Sequence, residues 1–279
     1  MLGYNASRTQ CSLYCIGGLT VRHMRITIAQ IKVKPEKGNP EHNHGLLQEI
    51  LGEIAPHAPD IVVTPEAFLD GYIATLESVS KEQMPNYAID PERSESSRYA
   101  SQWSCEHGSW LIYGCSRRVA QGVANSVLIY NREGSLAGVY DKVHLQLHDE
   151  KFVAGNALPV FESDFGFFGV MICADRRWPE TARTLALKGA RIIFNPTYGM
   201  HDERNIAMMR TRSYENESFI AFTHPSQSLV TGPDGDILQN NECDNDHFAI
   251  TEVDLSIADM ARKEGLAHLH GRRPDVYEL

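Results

Sequence analysis

The chain has 279 residues, 42% of them hydrophobic, and a formal net charge of −10. That is enough for one large domain with a sizeable core, or two small ones. The acidic balance, with no basic run, argues against a nucleic-acid partner, whose phosphates need clustered Lys and Arg; no apolar stretch is long enough to span a bilayer, and the six cysteines show no framework spacing, so they read as reduced thiols of a cytoplasmic protein.

Residues 1–23 are polar and weakly patterned. Arg8 and the run 11–21 make a poor signal peptide with no small-x-small cleavage site, so a disordered extension or a start called too early is the better expectation. Cys11 and Cys15 have no second Cys or His pair to complete a zinc site. The fold is expected to start at Met24, giving one domain over 24–279. From there strands and helices alternate. A strand is predicted over 26–33 and a helix over 44–54, with Leu47, Ile50, Leu51 and Ile54 on one face. A short buried strand, 60–66, ends at Pro65-Glu66. A helix over 91–107 and a strand over 110–115 precede a hairpin of 125–130 with 136–140, turned at Asn131-Arg132-Glu133-Gly134. A strand over 165–172 runs into Cys173, a helix follows Pro179, and 190–196 is again a strand. The polar helix 203–216, strands 219–223 and 227–231, a turn at Gly232-Pro233-Asp234-Gly235, a strand 247–253 and a short helix 256–263 complete an α/β pattern. The tail 263–279 reads as a solvated extension packed on a neighbouring subunit.

Three reactive side chains end strands in this reading: Glu66, Lys142 and Cys173. Catalytic groups of α/β enzymes gather outside the carboxyl ends of strands. The thiol stands where an apolar strand meets a helix start, a position expected to lower its pKa through the helix dipole. Together the three suggest a chemistry: Glu66 as general base, the Cys173 thiolate as nucleophile, and the Lys142 ammonium with the Ala174 backbone N–H as oxyanion donors. Each taken alone reads equally as a surface carboxylate, a solvated lysine or a structural cysteine.

Thr64-Pro65-Glu66, Tyr140-Asp141-Lys142-Val143-His144-Leu145 and Gly169-Val170-Met171-Ile172-Cys173 resemble, in this chain order, the motifs of the nitrilase superfamily of carbon–nitrogen hydrolases. The resemblance covers Met24 to the tail. It implies a four-layer α-β-β-α sandwich, a Glu–Lys–Cys triad, no metal or organic cofactor, and pairing into homodimers or larger assemblies through helices. It also implies that Glu150, in His148-Asp149-Glu150-Lys151-Phe152, orients Lys142 and the substrate.

Asp175-Arg176-Arg177-Trp178-Pro179-Glu180 looks most like the branch that hydrolyses N-carbamoyl amino acids, where two arginines hold the substrate carboxylate as guanidinium forks and a histidine matching His148 touches substrate. Arg176 and Arg177 read equally as structural ion-pair partners of Asp175 or Glu180. The chain departs from that branch in the short spacing between Lys142 and Glu150 and in Thr197-Tyr198-Gly199, where a Tyr-Asn-Thr run is expected. The short spacing is closer to carbamoylputrescine-type and aliphatic amidases, which lack the paired arginines. A true nitrilase usually carries Trp-Glu after its cysteine, where this chain has Ala174-Asp175. The expected activity is therefore release of ammonia from a small amide or N-carbamoyl compound through a thioester. A catalytically silent, metabolite-binding homologue stands as the competing reading. A zinc hydrolase lacks any His-Glu-x-x-His or paired-Cys spacing, and a papain-like protease lacks its flanking residues.

Overall fold

Alternation along the strands sorts side chains to two faces, and that sorting builds the layers. The computed structural model describes residues 12–16, 19–264 and 268–277. Its elements run β1 (Ser12–Ile16), β2 (Leu19–His23), β3 (Arg25–Ile31), α1 (Pro40–Ile54), β4 (Ile61–Val63), α2 (Glu95–His107), β5 (Trp110–Val119), β6 (Gly122–Tyr130) and β7 (Leu136–Asp141). There follow β8 (Val160–Ser163), β9 (Gly166–Val170), α3 (Pro179–Leu187), β10 (Ile192–Pro196), α4 (Glu203–Asn216), β11 (Phe219–His224), β12 (Gln227–Thr231), β13 (Ile237–Asn241), β14 (Phe248–Asp254) and α5 (Ser256–Glu264). One six-stranded sheet has the order β14-β3-β4-β5-β6-β7, and a second has the order β13-β12-β11-β10-β9-β8. In the first, β3, β4 and β5 are parallel; in the second, β9, β10 and β11 are parallel.

Ile28, Ile61, Val63, Ile112 and Val127 of the first sheet share one core with Phe168, Val170, Ile192, Phe194 and Ala221 of the second. The intervening residues point the other way, as a period of two requires. Thus Ala29, Val62 and Leu111 pack outward on Leu47, Leu51 and Trp103 of α1 and α2. Ile193, Ile220 and Leu229 pack outward on Ala182, Leu185 and Met209 of α3 and α4. Both faces of each sheet are covered, which gives the expected four-layer α-β-β-α order. One polar tie crosses between the sheets: Gln30 on β3 donates to Phe222 O at 2.7 Å and Thr223 Oγ1 at 2.9 Å, and accepts from Ser228 Oγ at 2.6 Å. Buried amide groups satisfied this way fix the register of the two layers.

Several boundaries differ from expectation for identifiable reasons. Helix α1 starts four residues early because Asn39 caps it, accepting from His42 N at 3.2 Å, and Pro40 suits the first turn. Strand β4 stops at Val63 because Pro65 has no N–H to donate onward. The edge strands β8 and β13 were not anticipated; β13 is largely exposed or half-exposed and carries no apolar alternation to announce it. Within the segment expected to be an extension, β1 and β2 pair antiparallel, from Ser12 opposite His23 to Ile16 opposite Leu19; the possible zinc ligand Cys11 lies outside the described residues.

Candidate active site

The three strand-end residues do come together, and they come from both sheets. Glu66 follows β4 and Lys142 follows β7 in the first sheet; Cys173 follows β9 in the second. The turn into Glu66 crosses β5 so closely that a Cβ on Gly114 would stand 2.3 Å from Pro65 O, so only glycine fits at that crossing. Among the described residues the non-glycine positions with left-handed φ are Ala58, Ala67, Tyr72, Cys173 and Glu217. Three of these line the site: Ala67 beside Glu66, Tyr72 against Lys142, and Cys173 itself at φ 45°. Such backbone strain persists only where the surroundings over-determine it, and it concentrates at working sites.

Lys142 is wholly buried between two carboxylates. Its Nζ donates to Glu66 Oε1 at 2.8 Å and to Asp149 Oδ2 at 2.7 Å, and lies 3.1 Å from the Tyr72 hydroxyl. Tyr72 in turn donates to Asp149 Oδ1 at 2.5 Å. Glu66 Oε1 also accepts from Asn125 Nδ2 at 2.8 Å, and its Oε2 accepts from the Tyr198 backbone N–H at 3.0 Å. Burial works against the ammonium, but Glu66, Cys173 and Asp149 outweigh it and hold the Lys142 pKa above its usual value. The site therefore keeps a protonated lysine available as an electrostatic clamp.

Cys173 is 4% exposed and opens a 3-10 turn, Cys173–Arg177; α3 begins only at Pro179. This corrects the expectation of a thiol acidified by a helix terminus. Burial and the neighbouring Glu66 charge raise the thiol pKa, against the opposing pull of Lys142 and Arg176. A thiol held this way needs a base to take its proton, and Glu66 is close enough to act on it electrostatically. The loop carrying Tyr198 links the two: a Cβ on the next residue, Gly199, would sit 3.4 Å from Sγ. Asp175 ties the Lys142 segment to the Cys173 turn. Its carboxylate accepts from Tyr140 OH at 2.6 Å, His144 N at 2.8 Å and Ile172 N at 2.9 Å.

The carboxylate that reaches Lys142 from this segment is Asp149, not the expected Glu150. Asp149 ends the 3-10 turn Leu147–Asp149 and is buried on Lys142, whereas Glu150 is exposed. On so tight a turn, neighbours point about 120° apart, so only one of the two can face the lysine. His148 is also exposed, its ring edge-on to Tyr72 at 5.9 Å between centroids. The arginines separate in the same manner. Arg176 is 1% exposed, with Nε donating to Asn205 Oδ1 at 2.7 Å, Nη2 to Met200 O at 2.6 Å and Nη1 lying 3.6 Å from Sγ. Arg177 is exposed, so the two do not converge as a paired clamp. Neither pairs with Asp175 or Glu180 among the described ion pairs. Ala174 is buried in the turn directly after the thiol. Sequence reasoning did not find Tyr72, Asn125, Asp149 or Asn205; of these only Asp149, next to the glutamate chosen, had a signal in the primary structure.

The carbon–nitrogen hydrolase family model matches residues 25–263. The chain is 28% identical to a protein of Pseudomonas protegens called hydrolase in pqqF 5′ region, over 94% of this chain and 95% of that relative. It is 26% identical to the chloroplastic omega-amidase of Arabidopsis thaliana, over 91% of this chain and 73% of that relative. The crystal structure of Saccharomyces cerevisiae Nit3, a member of branch 10 of the nitrilase superfamily, superposes with a TM-score of 0.76 at 21% identity, covering 91% of this chain and 97% of that one. With a family model spanning most of its length, this chain belongs to the carbon–nitrogen hydrolase family, and it shares the fold of that solved structure.

Proposed function

We propose that the protein hydrolyses a small amide through a Cys173 thioester and releases ammonia. The observation that carries this reading is the convergence of Glu66 and Asp149 on one wholly buried lysine beside a cysteine held in a left-handed turn. Glu66 takes the thiol proton, and Sγ attacks the amide carbon. Negative charge develops on the former carbonyl oxygen, where the Lys142 ammonium and the Ala174 N–H stabilise it. Collapse expels the nitrogen, which takes its proton from Glu66. Water, deprotonated by the same carboxylate, then attacks the thioester, releases the acid and restores the thiol. Asp149 and Tyr72 hold Lys142 in place throughout.

A small amide is favoured over an N-carbamoyl amino acid because Arg177 is exposed and the Nε and Nη2 donors of Arg176 are already engaged. The omega-amidase relative supports the same choice. Trp178, Leu187 and Tyr214, exposed on or beside α3 and α4, support self-association through these helices. The test is ammonia release from a panel of simple amides, ω-amides of dicarboxylic acids, N-carbamoyl amino acids, N-carbamoyl amines and nitriles. Turnover of at least one amide class is expected, with a loss of about 10⁴-fold or more in Cys173→Ala. Full activity of that variant overturns the reading. Tight binding without turnover by the wild type would mark a silent homologue instead.

A further inference from the structure

Among the described residues, Arg176 is a buried cation without a carboxylate partner. Among the described ion pairs none includes it, although its side chain is 1% exposed. Removing a guanidinium from water without an anion is costly, so such groups sit where an anion is supplied. Its orientation is set from three elements. Asn205 on α4 takes Nε, Met200 O in the loop after β10 takes one Nη2 hydrogen, and the Phe222 ring of β11 lies 5.4 Å from the guanidinium carbon. What remains is Nη1, and it points at Cys173 Sγ from 3.6 Å.

We infer that Arg176 is the counter-ion of the Cys173 thiolate, and thus a further catalytic residue of the hydrolysis proposed above. Charge balance makes the assignment physical. The groups acting on the sulfur are Glu66, Lys142, Tyr72 and Arg176, with Asp149 held on Lys142; Asp175 is committed to Tyr140, His144 and Ile172 N, and His224 is a neighbour of Arg176. Two carboxylates and two cations sum to zero around a neutral thiol. When the proton moves from Sγ to Glu66 the set is again neutral, with the new charge on sulfur beside Arg176. Without the guanidinium the set carries one surplus negative charge in both states, and moving the proton would bring a negative charge onto a sulfur left with Lys142 as its remaining cation.

The inference rests on Cys173 being the nucleophile, and its test is separate from turnover. The rate of Cys173 alkylation by iodoacetamide, a neutral reagent, is followed against pH in the full chain, with the labelled cysteine identified by peptide mass. In Arg176→Gln the midpoint is expected to rise by about one to three pH units, so that labelling near neutrality slows about tenfold or more. Arg176→Lys should recover part of the shift. Turnover should fall alike for neutral and carboxylate-bearing amides, through kcat rather than KM. An unchanged midpoint, with KM raised for carboxylate-bearing substrates alone, overturns the inference and makes Arg176 a substrate clamp. Should Arg176→Gln fail to fold, Asn205→Ala keeps the charge and loosens its tether; a smaller rise of the same sign is expected, and no rise overturns the inference. Failure of the thiol mechanism itself would show differently, as turnover surviving Cys173→Ala.

Discussion

The two ends of the sandwich differ in a way that cavity size does not reveal. At the amino end of the parallel strands β4, β5 and β9 lies a groove of about 1020 Å³, lined by Trp110, Arg132, Glu106, His107, Glu162 and Asp164 among others. Its Arg132 is partly exposed and is satisfied by carboxylates in and beside the groove: it reaches Asp60 at 2.7 Å and Asp164 at 3.0 Å, and Trp110 Nε1 donates to Asp164 at 3.0 Å. At the carboxyl end Glu66, Lys142 and Asp149 are withdrawn from water entirely, and three left-handed residues, Cys173 among them, line the site. Chemistry marks itself by buried charge and strain, because both cost stability and persist only where the surrounding fold compensates. An open polar groove carries neither cost.

The largest expected effect separates Asp149 from its neighbour. Asp149→Asn removes one charge from a fully desolvated pair and loosens Lys142, so kcat should fall by about 10²–10³-fold, in the range of lost transition-state electrostatics, while Glu150→Gln should stay within about twofold of wild type. Comparable losses in both would reinstate the glutamate. Next comes His224, which supports the active-site loop: Nδ1 accepts from Ser226 N at 3.0 Å and Nε2 meets Tyr198 O at 3.1 Å, a pattern that requires the neutral ring. Burial first, then His201 and Arg176, lower its pKa from 6.5 to about 4. The folded state thus binds fewer protons than the unfolded chain between these values. This contribution to stability is present above pH 6.5 and is lost as pH falls toward 4. It amounts to at most about 3 kcal/mol. His224→Gln should flatten the pH dependence of denaturant unfolding across that window; an unaltered slope refutes the assignment. The smallest effect belongs to the groove. Arg132→Met should cost about 1 kcal/mol of stability, as partly exposed ion pairs do, and leave kcat/KM unchanged. A loss of turnover there would mean that the two ends are functionally coupled.

The strand-end residues were legible because each sits in a local pattern: apolar alternation, then a break, then a polar side chain. The paired arginines were misleading for the opposite reason. Arg176 and Arg177 are adjacent in sequence, yet one is buried against sulfur and the other exposed. The same 3-10 geometry that separates them also chose Asp149 over Glu150. Tyr72, Asn125 and Asn205 had no local signature at all; each reaches its partner across 77, 59 and 29 positions respectively.

Taken alone, the primary structure determined the α/β alternation and the reactive trio, since hydrophobic periodicity is written in consecutive residues and specifies which side of each strand meets the core; the four-layer order was implied only by the family resemblance. Tertiary structure decided which acid orients the lysine, where the guanidinium points and how basic the thiol becomes. Those properties depend on exclusion of water and on charges brought within a few ångströms from distant segments, and neither quantity exists until the two sheets have closed on each other.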